Sequence, residues 1–292
     1  MKTVKETSLK DMILRVVEQE GAYIGVLIAD DQIKARIEGD NVDDVWRRLH
    51  AQAAASSPKF HGFGDAKKRF LRIFRRGFRS PAYAKHERTY KLEAMKALEA
   101  AVPLEEALEG TGHAEAILSV FRKTNLLSPF EQIKVQTLLR SRQADAFIRG
   151  AAKMAAGEVA TGLAQMRTAA GPHDAARWTT VTYLPFLWRP KEHMFLKPSV
   201  TCDFAERVGH RFCHEYRAAL EPEVYRSLLD LAQVTAQELA ELKPADNIDI
   251  QSFIWTVCTY DEDAEQGLDR EVREAREPRE TREVREPREV DA

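Results

Sequence analysis

A chain of 292 residues that is 44% apolar and 31% charged, with a mean hydropathy of -0.43, can bury a sizeable core without disulfide support. No apolar run approaches the roughly 18 residues a membrane span needs, and three cysteines without a CxxC pair leave an odd one over, which suits free thiols in a reducing compartment. The first twenty residues mix both charge signs where a signal peptide would place an unbroken apolar stretch, so the expected location is the cytoplasm.

The formal net charge of -2 conceals an uneven distribution. From Asp261 to Ala292 there are 7 basic and 13 acidic residues, whereas Lys59 to Lys91 holds 11 basic residues against only Asp65 and Glu87. One stretch is therefore a basic island on an otherwise acidic protein, and such asymmetry points to an anionic partner where the net charge alone points to none.

In chain order, Ser8 followed by LKDMILRVVEQE and Gly21 predicts a short capped helix. The β-rich runs Tyr23 to Ala29 and Gln32 to Glu38, joined at Asp30-Asp31, predict a hairpin. Asn41 then opens a helix whose first turn carries two acids, completing an α-β-β-α unit. Asp65 reads as the N-cap of a helix running to Gly77. On a 100° wheel, Lys68, Arg69, Arg72, Arg75, Arg76 and Arg79 share an arc of about 120°, opposite Phe70, Leu71, Ile73, Phe74 and Phe78. Ser80-Pro81 starts a further helix that carries Lys85, Arg88 and Lys91 and is expected to extend the basic surface.

Residues 93 to 172 read as helical, with breaks near Pro103, Gly110 to Gly112, Asn125 to Ser128 and Gly157, and Ser128-Pro129-Phe130-Glu131 is a capping box. From Trp178 the β-branched and aromatic run TTVTYLPFLW, then RPKE and HMFLKP, predicts a second hairpin, with Pro185 confining its first strand to an edge. Helices follow from Ser199 or Thr201 through Glu215, from Pro222 through Leu242, and from Asp246 or Asn247. Beyond Glu262, an arginine at every third position from Arg270 to Arg288, with Pro278 and Pro287 and no apolar face, predicts a disordered tail.

The resulting fold class is α+β and predominantly helical. It divides into an N-terminal α-β-β-α unit with basic helices over 1–100, a mostly helical module with a second short hairpin over 101–260, and a disordered Arg-Glu tail over 261–292.

Patterns for acyl-transfer, zinc-protease and phosphate-loop chemistry are absent. His210, Cys213 and His214 share one side of a helix, but a structural zinc site needs four ligands, so the cluster reads as structural. The reading leans away from an enzyme, and no metal or cofactor is expected. The candidate nucleic-acid contacts are Lys67, Lys68, Arg69, Arg72, Arg75, Arg76, Arg79, Lys85, Arg88 and Lys91, because cations that neutralise phosphates release counterions and bind without regard to sequence. The expected partner is nucleic acid, DNA ahead of RNA, and not a membrane. The alternatives are a scaffold protein whose basic island contacts an acidic partner, and a solvated face paired with acids of the same chain.

The segment Pro244-Ala245-Asp246-Asn247-Ile248-Asp249-Ile250-Gln251-Ser252-Phe253-Ile254-Trp255 resembles a stretch found in uncharacterised bacterial proteins and in modules attached to Mcr-like restriction systems. That resemblance implies a bacterial setting of DNA defence or DNA handling. Physically, the same residues read as a capped helix with Ile250, Phe253, Ile254 and Val257 turned inward.

Overall fold

A computed structural model describes residues 2–9, 12–55 and 59–261. The expected tail over 262–292 lies outside the described residues. Residues Met1–Thr259 group into one compact unit. The chain is α+β and mostly helical.

The N-terminal unit is a four-stranded antiparallel meander in the order β1-β2-β3-β4, with β1 (Lys2–Leu9), β2 (Met12–Gln19), β3 (Ala22–Ala29) and β4 (Gln32–Gly39). The expected first helix is instead strand β2, and β1 ahead of it is an element the sequence did not predict. The run Met12 to Val17 offers apolar residues at helical spacing, but it also places Leu14 and Val16 on one sheet face and Ile13 and Val17 on the other. The β-branched content and the neighbouring strands decide between the two periods. Gly21 serves a turn rather than a helix end: Glu20 and Gly21 both take positive φ, 54° and 84°, as do Asp30 and Asp31 at 52° and 55°. Left-handed pairs of this kind match the twist of two-residue hairpins.

The helix α1 (Val42–Ala54) covers one face of the sheet. Asn41 caps it by accepting from the amides of Asp43 and Asp44. Leu14, Val16, Leu27, Val45, Trp46 and Leu49 form the core between the two layers. Gly25 and Gly39 are fixed by this packing, since a Cβ at either would meet the methyls of Val45 at 2.8 or 2.9 Å.

The rest of the unit is helical: α2 (Gly62–Ile73), α3 (Pro81–Tyr83), a π-helical stretch (Ala84–Arg88), α4 (Thr89–Ala101), α5 (Leu104–Glu109), α6 (Ala114–Phe121), α7 (Pro129–Leu139), α8 (Ala144–Ala155), α9 (Val159–Ala170), α10 (Trp178–Trp188), α11 (Pro198–Val208), α12 (Phe212–Glu215), α13 (Pro222–Glu238) and α14 (Asn247–Thr259). The capping box at Ser128 closes in both directions, its amide donating to Glu131 Oε2 at 2.8 Å. The helix expected from Ser199 to Glu215 is broken at Gly209, which takes φ 75° and ends α11.

The expected second hairpin is instead the central helix α10. Every residue of it is buried, Pro185 included. A helix apolar on all sides belongs in a core, and burial there outweighs the poor helical preference of Thr179, Thr180, Val181 and Thr182. Thr182 donates to the carbonyl of Trp178 at 2.6 Å, and Thr179 donates to Glu131 Oε1 at 2.5 Å. The hydroxyls are thus satisfied inside an apolar setting. Among the described residues no helix is long and apolar enough to cross a membrane.

Candidate nucleic-acid interface

Within α2 the residues Ala66, Phe70 and Ile73 recur at three- and four-residue spacing and are buried, which fixes the helix by one face and turns the others outward. The anchor is aromatic. Phe70 lies 5.5 Å from Phe74, 6.0 Å from Tyr83 and 5.1 Å from Phe253, ring centre to ring centre. Phe70, Phe74 and Tyr83 have no exposed surface. Phe78 is half-buried against Phe70 and Tyr83. These rings are core, as the helical wheel indicates, and offer no stacking platform for bases.

The helix is shorter than expected at one end and longer at the other. It begins at Gly62 with His61 in the cap position, so Asp65 stands in the first turn, paired with Lys68 at 3.0 Å. It ends at Ile73, because Phe74 leaves helical geometry (φ -119°, ψ 83°) to enter the aromatic cluster. Gly77 then takes φ 55°, a left-handed conformation that favours glycine. Arg75, Arg76 and Arg79 accordingly project from a turn and a short 3₁₀ segment (Gly77–Arg79), not from the helix.

Lys68, Arg72, Arg75, Arg76 and Arg79 are nevertheless all exposed. Lys85 is exposed on the following π-helical stretch. Lys67 is partly buried and pairs with Glu241 at 3.1 Å, and Arg69 is half-buried.

Arg88 and Lys91 do not join this surface. The Arg88 guanidinium grips Asp246 with two nitrogens, at 2.9 and 2.7 Å, and reaches Asp249 at 2.6 Å. Burial works against its charge, but the hydrogen bond to Asp246 and the field of Asp249 raise its pKa above the ordinary arginine value. Lys91 is fully buried, its Nζ donating to Ser252 Oγ at 2.8 Å and to Glu87 Oε2 at 3.2 Å. Burial lowers its pKa, opposed by Glu87. The Tyr83 hydroxyl donates to Asp249, whose other oxygen accepts from the amide of Ala245 at 2.7 Å. These groups form a buried polar network that fastens residues 83–91 to α14. The capped start of α14 is part of it, since Asp246 also accepts from the amide of Ile248 at 3.0 Å.

Beside the exposed cations lies a cleft of about 360 Å³ lined by His61, Asp65, Lys68, Arg69, Arg72, Arg207 and Val257. Arg207, on α11, is a residue that sequence reasoning missed. The signal that places it here is a main-chain one, the His61 amide donating to the Arg207 carbonyl at 2.9 Å. Its Nε donates to Asp203 Oδ2 at 2.9 Å, which sets the plane of the guanidinium.

The histidine and cysteine cluster disperses in the structure. His210 turns to Asp230 at 3.2 Å, and the His214 ring lies 5.4 Å from that of His50. Burial pushes the Cys213 thiol up to about 12 and Cys202 up to about 11. Thiols held protonated in this way are poor nucleophiles and poor metal ligands. Among the described residues no three His, Cys, Asp or Glu side chains are grouped to hold a metal ion.

No family model, curated protein or solved structure matches this chain.

Proposed function

We propose that the protein binds nucleic acid without catalysing a reaction on it, docking on phosphates through Lys68, Arg72, Arg75, Arg76, Arg79 and Lys85. The observation that carries this reading is the separation of faces around α2. Phe70 and Phe74 are fully buried, while five cations within twelve residues are exposed. An array of this density neutralises several phosphates at once, and counterion release makes it favourable and indifferent to base sequence. The buried aromatics supply no base stacking, which favours a backbone-tracking mode over recognition of unpaired bases. The setting proposed from the resemblance of residues 244–255 to modules of restriction systems is bacterial DNA defence or handling, with DNA as the partner.

The test is an electrophoretic mobility shift with a labelled duplex of about 30 base pairs at about 50 mM salt, beside a single strand of equal length. Binding of the duplex, lost in the double variant Arg72→Glu/Arg76→Glu with its circular dichroism unchanged, supports the proposal. A folded wild-type protein that shifts neither probe overturns it.

A further inference from the structure

The cleft beside the basic surface differs from it in shape and in charge density, and that difference has a chemical reading. Four cations, Lys68, Arg69, Arg72 and Arg207, converge on about 360 Å³ from two elements, α2 and α11, with Asp65 the single acid among the lining residues. Val257 supplies an apolar wall, and such a wall strengthens charge interactions by keeping water off one side. The volume falls at the lower end of the range for small-ligand sites: too small to hold a duplex, large enough for a phosphate group.

An internal phosphodiester carries one negative charge, whereas a terminal phosphomonoester carries between one and a half and two at neutral pH and offers three acceptor oxygens. Convergent guanidinium groups suit the second better, because each can bind two oxygens in a fixed fork. Arg207 is oriented for this by Asp203, and the first turn of α2 opens onto the same space without a side-chain cap at His61.

We propose that this cleft binds a terminal phosphate dianion. The proposal rests on the nucleic-acid reading for one of two sources, the phosphorylated end of a strand, the other being a free mononucleotide. Among the described residues the cleft is lined by no Phe, Tyr or Trp, and its four cations outnumber its single imidazole, His61, so the phosphate and not the base is recognised and the preference is for the end group, independent of sequence.

The experiment compares, by fluorescence anisotropy, 5′-phosphorylated and 5′-hydroxyl versions of one single-stranded oligonucleotide of about twelve residues. Calorimetric titrations of inorganic pyrophosphate and of adenosine monophosphate run in parallel. The wild type is expected to bind the phosphorylated strand at least tenfold more tightly than its hydroxyl twin, and to give a saturable heat with pyrophosphate. Arg207→Gln is expected to abolish both while leaving Tm within a few degrees. If Arg207→Gln unfolds the protein, Arg72→Gln carries the same test. Arg76→Gln, outside the cleft, should weaken both strands equally.

Adenosine monophosphate binding as tightly as the phosphorylated strand assigns the site to free nucleotides, and a tenfold advantage of the strand assigns it to ends. Equal binding of the two strands with no pyrophosphate heat overturns the cleft while leaving nucleic-acid binding intact. Pyrophosphate binding that survives Arg207→Gln and Arg72→Gln also overturns it. Pyrophosphate binding that depends on Arg207, in a protein that binds neither strand, upholds the cleft and removes the nucleic-acid reading.

Discussion

His50 makes the protein sensitive to acid, and the size of the effect follows from its surroundings. The side chain lies on α1 with 2% of its surface exposed, and neither ring nitrogen has a hydrogen-bond partner. The Trp46 ring stands edge-on at 4.8 Å and the His214 ring at 5.4 Å. Burial, followed by the charges of His214, Arg211, His210 and Lys5, pushes its pKa from 6.5 down to about 3. The nearby acids are engaged elsewhere: Glu215 accepts from Trp46 Nε1, and Asp43 and Asp230 pair with Arg211.

A folded pKa below the unfolded one means that the unfolded chain takes the proton first. The stability tied to neutral His50 is therefore complete above pH 6.5 and is lost as pH falls toward 3. At about 1.4 kcal/mol per pH unit the loss is about 2 kcal/mol by pH 5 and of order 5 kcal/mol at the limit, a large part of the 5 to 15 kcal/mol that holds a typical domain together. The assay is urea unfolding at pH 7 and pH 5 for the wild type and His50→Leu. Because the leucine removes two unsatisfied buried nitrogens, the variant should match or exceed wild-type stability at pH 7 and lose about 2 kcal/mol less on acidification. His193 and His210, whose pKa values are also lowered chiefly by burial, contribute to both proteins and cancel in the comparison. An identical pH dependence in the two proteins would refute the reasoning.

Three further outcomes follow from the packing. Lys91→Met should cost about 3 to 5 kcal/mol in urea unfolding, because it removes one partner of the buried Lys91–Glu87 pair, and adding Glu87→Gln should recover part of the loss. Phe74→Ala should cost a similar 3 to 5 kcal/mol through the cavity left among Phe70 and Tyr83, with nucleic-acid affinity of the folded fraction retained. Gly25→Ala drives a methyl into Val45 and should lower stability by about 1 to 3 kcal/mol, read as a fall in Tm, whereas Gly64→Ala meets open space and should be nearly silent.

What the sequence showed well is what local chemistry decides. The cap at Asn41, the box at Ser128, the Asp30-Asp31 hairpin and the start of α14 at Asp246 each depend on residues within four positions of one another. The failures share a different origin. Residues 12–17 suit both a helix and a strand, and the choice is made by β1 and β3 alongside them. Residues 178–188 carry strand-like side chains, yet they lie buried on every side as a helix, whose backbone pairs within itself and needs no neighbouring strand. In the candidate site, the outward face of α2 was legible because its period is local. Arg88 and Lys91 were misplaced because their partners, Asp246, Asp249 and Ser252, stand 158 to 161 residues away. Arg207 was invisible for the same reason, since only the fold brings α11 beside the start of α2.

The measurement that bears most directly on the central claim is the salt dependence of duplex binding. If the exposed cations of residues 68–85 dock on phosphates, log K against log salt should be linear with a slope of about -5 to -6, as six neutralised phosphates require. Arg72→Glu/Arg76→Glu should make that slope shallower by about 2 units with circular dichroism unchanged. A slope near zero, or one that the two substitutions leave untouched, would contradict the account.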